Sequence, residues 1–236
     1  MSLLITTPNA YSWGLNDFAE EISVPVTETP VITMTGTALA LGSFIIRSPH
    51  GKEFERSEAY NRRFGHHSSW GDYAGQLIPN ALYSAYQGYL GSNGDLDGYR
   101  RSIGMIKATF YSGLVTSIGK YTVRAPRPTN ADERNSFPSG HSATVFTFAG
   151  YVLEEHGTTA GSFAVALAAF SGYSRIHDQR HRIHEVIAGA TLGLAYGIGM
   201  SKLQKKKIQE QGSASGFSIV PILDLDAKGF ALYKEF

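Results

Sequence analysis

The chain has no cysteine among its 236 residues. That excludes a disulfide framework, a thiolate metal site and a cysteine nucleophile. Charge of one sign is also missing: 21 Lys and Arg face 20 Asp and Glu, so no net field draws the chain to nucleic acid or to acidic surfaces. Residues 1–9 have neither a basic start nor a long apolar core, and no secretory signal peptide is expected in them. Long uncharged stretches are few. Residues 29–46 and 157–174 reach the roughly eighteen residues a spanning helix needs, while Gly, Ser, Thr and Gln interrupt most other apolar segments. With a mean hydropathy of −0.14, these absences favour a soluble or peripherally attached body over a six-span integral one. No internal repeat is visible.

What is present suffices for a core. Hydrophobic residues make up 42% of the chain and charged residues 17%, a balance that supports one substantial globular unit. Segments 31–46, 73–89, 103–119, 142–154, 162–173 and 186–200 are rich in Ala, Leu, Gly and aromatics, with lengths that suit packed helices. Charge, Gly and Asn mark loops at 50–69, 92–99 and 124–137. We therefore expect an all-α, single-domain bundle of about six helices over 31–207, after an irregular lead-in with room for one short helix over 1–30. Residues 208–236 form a tail. Within it, 212–216 reads as a Gly/Ser linker, and 217–223 with 230–236 flank a turn as a β-hairpin. Arg100-Arg101 and Lys205–Lys207 would fall on one side of such a bundle.

The local pattern of cations carries the chemistry. Lys120, Arg124, Arg127, Arg175, Arg180 and Arg182 fall near histidines. Singly, each reads as part of a solvated face. In order, Lys120 with Arg127-Pro128, then Pro138-Ser139-Gly140-His141, then Ser174-Arg175 with His181 make a set suited to one phosphoryl group. A phosphoryl group in transfer spreads charge over its equatorial oxygens, which fixed cations and donors stabilise. Arg donates in pairs to such oxygens and Lys acts as a compact charge. Residues 137–143 read as a turn feeding a helix, with Ser139 as N-cap and the amides of Gly140 and His141 toward an anion; the plain alternative is a helix-start turn. One histidine can attack phosphorus while a second protonates the departing oxygen. Glu185 follows His181 by four residues, so on a helix it can hold one ring nitrogen and free the other. His141 is then the natural acid. His177 and His184 are expected to line or tune the mouth of the site, and His66-His67 reads as an exposed loop pair.

Taken together, Lys120-x6-Arg127-Pro128, Pro138-Ser139-Gly140-His141 and Ser174-Arg175-x5-His181-x3-Glu185 resemble the three-part signature of the type 2 phosphatidic acid phosphatase (PAP2) superfamily. That superfamily includes bacterial class A acid phosphatases, lipid phosphate phosphatases and vanadium haloperoxidases. The wider stretch 135–144 and Trp70-Gly71-Asp72-Tyr73 resemble its bacterial members, and the likeness covers roughly 70–200. It implies an all-α bundle that hydrolyses a phosphomonoester or pyrophosphate without metal or other cofactor, with vanadate as an inhibitory phosphate mimic. It implies His181 as nucleophile and His141 as general acid, with Glu185 in the position of the final acid. Lys120, Arg127 and Arg175 would be phosphate ligands, with Ser139 and Gly140 contributing through the turn. The substrate would be a lipid phosphate, a polyprenyl or lipid A phosphate, or a small phosphomonoester. The setting would be the bacterial periplasm or the periplasmic face of a membrane, with membrane-surface association and no nucleic-acid partner. Two departures stand out: Glu185 replaces the usual Asp, and the loop between Pro128 and Pro138 is short. A vanadate-dependent haloperoxidase is the competing enzyme class, disfavoured because its members are much longer. A catalytically weakened binding or scaffold protein is the competing non-enzyme.

Overall fold

The structure is a computed structural model that describes residues 15–46, 53, 55–57, 68–213, 217–223 and 228–234. Its helices are α1 (Leu15–Thr27), α2 (Pro30–Ile45), α3 (Ser68–Ala74), α4 (Ile78–Ser92), α5 (Leu96–Val123), α6 (Gly140–His177) and α7 (Ile183–Ser213). Strands β1 (Phe217–Leu223) and β2 (Lys228–Lys234) pair antiparallel, with Val220 opposite Ala231. The all-α body with a terminal hairpin is thus the observed class.

Element boundaries depart from expectation where packing outweighs local composition. Residues 73–89 divide into α3 and α4, because Pro79 suits the start of a helix and not its interior. The expected break between 154 and 162 is a kink inside α6 at Gly157, whose φ of +77° and ψ of −172° a side chain would disfavour. α7 runs past Lys205–Lys207 to Ser213, so the linker expected at 212–216 opens inside a helix. α5 is also longer at both ends than the segment read from sequence. The lead-in becomes helical from Leu15, and α1 buries Val24 in the main core.

That core gathers Met105, Ala108 and Tyr111 of α5, Tyr151 of α6, and Tyr196, Met200 and Leu203 of α7. The tightest seam joins α6 to α7. Cβ atoms at Gly189, Gly193 and Gly197 would lie 2.3, 2.4 and 2.4 Å from the carbonyl oxygens of Ser139, Ala143 and Thr147. Glycine every fourth residue lets α7 lie directly on the α6 backbone, as small residues do wherever helices approach closely. One consequence is local: Gly189 presses α7 against the turn that begins α6. The path of α1 and α2 runs antiparallel along α7, from Lys207 with Asp17 to His184 with Phe44.

Charge is segregated along the bundle. Residues 30–46, 78–92, 142–153, 158–174 and 186–201 carry no Asp, Glu, Lys or Arg, and 102–119 carries Lys107 alone, buried against Glu21 at 2.5 Å. Between the charged ends, apolar side chains face outward: Val31 is 75% exposed, Ile45 77%, Leu82 67% and Phe163 77%. The eighteen-residue stretch of α5 is about 27 Å long. Among the described residues one helix, Ile183–Glu210, is long and apolar enough to cross a membrane.

Candidate active site

The loop ends of α5, α6 and α7 meet at one end of the bundle and bring the candidate residues together. Lys120 lies in the last turn of α5, which closes when Arg124 adopts a left-handed conformation and donates its N–H to the Lys120 carbonyl at 3.1 Å. Lys120 Nζ donates to the Asn135 carbonyl at 2.5 Å, and Arg127 Nε to the Asn135 side chain at 2.8 Å, so one loop holds both cations. Arg127 also pairs with Glu133 at 2.9 Å. Burial, and next the nearby Arg127, push the Lys120 ammonium down to about 8. A bound anion would reverse that.

Ser139 caps α6 as the spacing predicts: its Oγ accepts from the Ser142 N–H at 3.4 Å and from the Ser142 hydroxyl at 3.0 Å. Its own N–H donates to the Glu185 carbonyl, which ties the turn to α7. A Cβ on Gly140 would lie 3.7 Å from Lys120 Cε, in ordinary contact, so the turn backbone and the cation share one cradle. His141 is half-buried in the first turn of α6. Its Nε2 lies 3.0 Å from Asp72, and the same carboxylate oxygen accepts a short hydrogen bond from Arg175. Burial, and then Arg175, lower His141 to about 4, while Asp72 opposes both. Arg175 is buried, and its Nε has no acceptor among the described residues. An orphaned buried guanidinium donor is costly unless something fills the site.

His181 sits in the turn between α6 and α7, with its N–H donated to the Arg175 carbonyl at 3.1 Å. Its Nδ1 lies 3.4 Å from Glu185 Oε2 and 3.4 Å from Ser136 Oγ, which leaves Nε2 as the unheld nitrogen. Glu185 is fully buried and accepts from the Ser136 hydroxyl at 2.6 Å, the Arg182 N–H at 2.8 Å and the Arg182 guanidinium at 3.1 Å. Burial alone would raise this carboxyl, but hydrogen bonds from His181, Ser136 and the Arg182 backbone outweigh it and hold it at about 2. His181 is lowered, chiefly by burial, against the pull of Glu185. The pair is therefore a carboxylate beside a neutral imidazole. The extra methylene of Glu185 is absorbed because the side chain reaches back over its own first turn to Ser136 and Arg182.

All eight candidates (Lys120, Arg127, Ser139, Gly140, His141, Arg175, His181 and Glu185) join this one network of contacts. The two flanking histidines do not line its mouth. His177 is buried and bonds Asp178 at 2.8 Å. His184 is buried between Phe44 and Phe137, with ring centroids 5.2 and 6.4 Å away, since its place on α7 turns it toward α2. His66-His67 lies outside the described residues. Sequence reasoning gave no role to Asp72, Asn135 or Ser136. Asp72 stands in the Trp70-Gly71-Asp72-Tyr73 segment, whose docking on α6 is fixed by the Ser171 hydroxyl donating to the Gly71 carbonyl at 2.7 Å. Among the described residues no group of His, Asp and Glu has the arrangement of a metal centre.

Residues 102–209 match the PAP2 superfamily, a stretch that contains every candidate residue. Over 88 residues, 36% of this chain, it is 38% identical to the lipid A 1-phosphatase of Porphyromonas gingivalis. The match spans 20% of that protein's length. A transmembrane PAP2-type phosphatidylglycerolphosphate phosphatase from Bacillus subtilis has 18% identity and a TM-score of 0.42, with 83% of this chain and 96% of that one covered.

Proposed function

We propose that the protein is a phosphatase that hydrolyses the phosphomonoester or pyrophosphate of a lipid through a phosphohistidine intermediate, without a metal ion. The observation that carries this reading is the buried His181–Glu185 pair close to Lys120, Arg127 and Arg175, with the Arg175 Nε left without an acceptor among the described residues. Three fixed cations and the free amides at the start of α6 supply the charge that a metal would otherwise provide.

The chemistry follows from the atoms. With its Nδ1–H held by Glu185, His181 attacks phosphorus through Nε2 as the bond to the leaving oxygen breaks. Protonated His141 delivers its proton to that oxygen; the phosphate dianion entering beside it raises its affinity for the proton, against burial and Arg175. In the second step neutral His141 takes a proton from water, whose oxygen attacks phosphorus as the P–N bond breaks. Inorganic phosphate then leaves, and both histidines return to their starting states.

The lipid class rests on the charge-free apolar belt, whose length on α5 approaches the roughly 30 Å hydrocarbon core of a bilayer. The relative that acts on lipid A, as its name states, points the same way. Seated by this belt, the site would lie at the interface, level with lipid headgroups. Arg100, Arg101 and Lys205–Lys207 gather at the other end of the bundle.

The test is rapid-quench trapping in alkaline denaturant, with phosphorus-labelled substrate in a chelator-containing buffer. We expect an acid-labile phosphoenzyme in the parent, none in His181→Ala, and competitive inhibition by vanadate, which copies the five-coordinate transition state. Complete loss of turnover on chelation, with recovery on adding zinc or magnesium, would overturn the reading.

A further inference from the structure

We propose that a groove beside the phosphate cage, walled by the α3–α4 turn, α5 and the start of α6, receives the long hydrocarbon chain of the substrate, with Gly113 keeping it open. This rests on the lipid phosphatase reading given above. The groove has a volume of about 530 Å³, within the range of about 300–1,000 Å³ typical of small-molecule sites. Its inner end is formed by Lys120 and His141, so it is continuous with the cage. Leu77 and Ile78 stand at its outer end, both exposed, on the same face as the charge-free belt.

Two observations single out this groove as built to take a ligand. The first is Gly113. Glycine is unfavourable inside a helix, and elsewhere on α5 close packing accounts for it. A Cβ at Gly104 would lie 2.0 Å from the Tyr151 hydroxyl, and one at Gly119 would lie 2.8 Å from Pro138. At Gly113 a Cβ would meet nothing within 4 Å among the described residues. The helix packing does not ask for glycine there, whereas an open groove does. The second is Thr116, one turn nearer the cage. It is 4% exposed and lines the groove, and its Oγ1 has no hydrogen-bond partner among the described residues. A buried hydroxyl in that state fits a ligand oxygen close to the phosphate, such as the ester linkage, with the chain continuing past Gly113 toward Leu77 and Ile78.

The apolar flank and its junction with the belt select the occupant. A soluble phosphomonoester would leave the groove wet and its apolar walls unused. A lipid fills it and can enter sideways from the bilayer without leaving hydrocarbon. Each methylene withdrawn from water contributes roughly fourfold in affinity, so binding should climb with chain length until the groove is full.

The experiment uses the full chain in detergent micelles, with Gly113→Leu to plug the groove and Gly113→Ala as a smaller, helix-favouring control. Short- and long-chain alkylphosphonates are titrated by calorimetry, and turnover is measured on p-nitrophenyl phosphate and on a long-chain lipid phosphate. We expect parent affinity to rise with chain length, and Gly113→Leu to flatten that dependence. We expect Gly113→Leu to lower kcat/KM on the lipid at least about tenfold, with p-nitrophenyl phosphate turnover within about twofold of the parent. Gly113→Ala should fall between. Alkylphosphonate affinity independent of chain length in the parent overturns the groove. So does an equal loss on both substrates in Gly113→Leu when the fold, read by circular dichroism, is intact. If the parent binds long chains preferentially but hydrolyses neither substrate, the phosphatase reading fails while the groove stands.

Discussion

The two ends of the helical bundle hold buried charge in opposite states. At the end away from the site, Arg100 makes a two-pronged pair with Glu155 at 2.7 and 2.6 Å, and Arg101, Lys205 and Ser201 complete the shell of that carboxylate. At the site end the described cations are incompletely paired. Lys120 leans on a carbonyl, Arg175 keeps one buried N–H without an acceptor, and His141 and Arg175 share the single carboxylate of Asp72. A satisfied network fastens helices; an under-compensated one waits for an anion. The folded chain tolerates the second kind because the first, together with the α6–α7 glycine seam, holds the helices in place.

If that contrast is correct, changes at the two ends should separate activity from stability. The largest effect is expected at Glu185. Glu185→Gln keeps the shape but removes the charge that orients His181, and should lower single-turnover phosphorylation about a hundredfold or more, with a fall in Tm smaller than that of Glu155→Gln because the Ser136 and Arg182 bonds are weakened. Glu185→Asp should retain much of the rate. Near-parental phosphorylation in Glu185→Gln would mean that Ser136 alone fixes the ring.

Asp72 comes next. Its carboxylate raises the proton affinity of His141 against burial and Arg175. In Asp72→Asn the imidazole should hold its proton less well, so the alkaline limb of kcat/KM, which reports the protonated acid in the free enzyme, should move to lower pH. The loss, roughly tenfold or more at neutral pH, should be greatest for substrates with poor leaving groups. A uniform loss across leaving groups, with the limb unmoved, would reduce Asp72 to a packing role.

A smaller effect is expected at Lys120. Held down to about 8 by burial and Arg127, it loses its charge as pH rises through that value. Affinity for phosphate should therefore decline above about pH 8. Lys120→Arg, whose charge persists, should push that decline to higher pH when titrated alongside the parent. A decline at the same pH in both proteins would assign it to another group.

The smallest effect on activity, and the largest on stability, should come from Glu155→Gln. Removing one partner of a buried pair costs about 3–5 kcal/mol, which a thermal melt would register, while the site chemistry stays near parental at permissive temperature. Burial raises the Glu155 carboxyl, but hydrogen bonds from Arg100 and Ser201 prevail and hold it at about 2. Its folded value thus lies below its ordinary one. The stabilisation is complete above the usual carboxylate range and is lost as pH falls through that range toward about 2. Parent and variant melts should converge on acidification, and a gap that persists at low pH would break the argument.

Much of the site was legible because its chemistry demands specific residue types at fixed short spacings. Pro138-Ser139-Gly140-His141 marks a capped helix start in any context, and His181 with Glu185 is one helical turn apart. Asp72 was not legible in the same way: it stands 69 residues before His141, and only the docking of α3 on α6 brings the two within 3.0 Å. His177 and His184 misled for the converse reason. Proximity in sequence on a helix says nothing of which face turns inward: His177 bonds its neighbour Asp178, and His184 packs against Phe44 of α2.

The sequence by itself determined the helical class, the three motifs and the identity of the groups able to handle a phosphoryl oxyanion, because periodicity, capping and side-chain chemistry are local properties. The tertiary structure alone decided which charges are satisfied and which await a partner. It also decided that Gly113 borders a groove while Gly189 closes a seam, because burial and compensation depend on what the rest of the chain brings within a few ångströms.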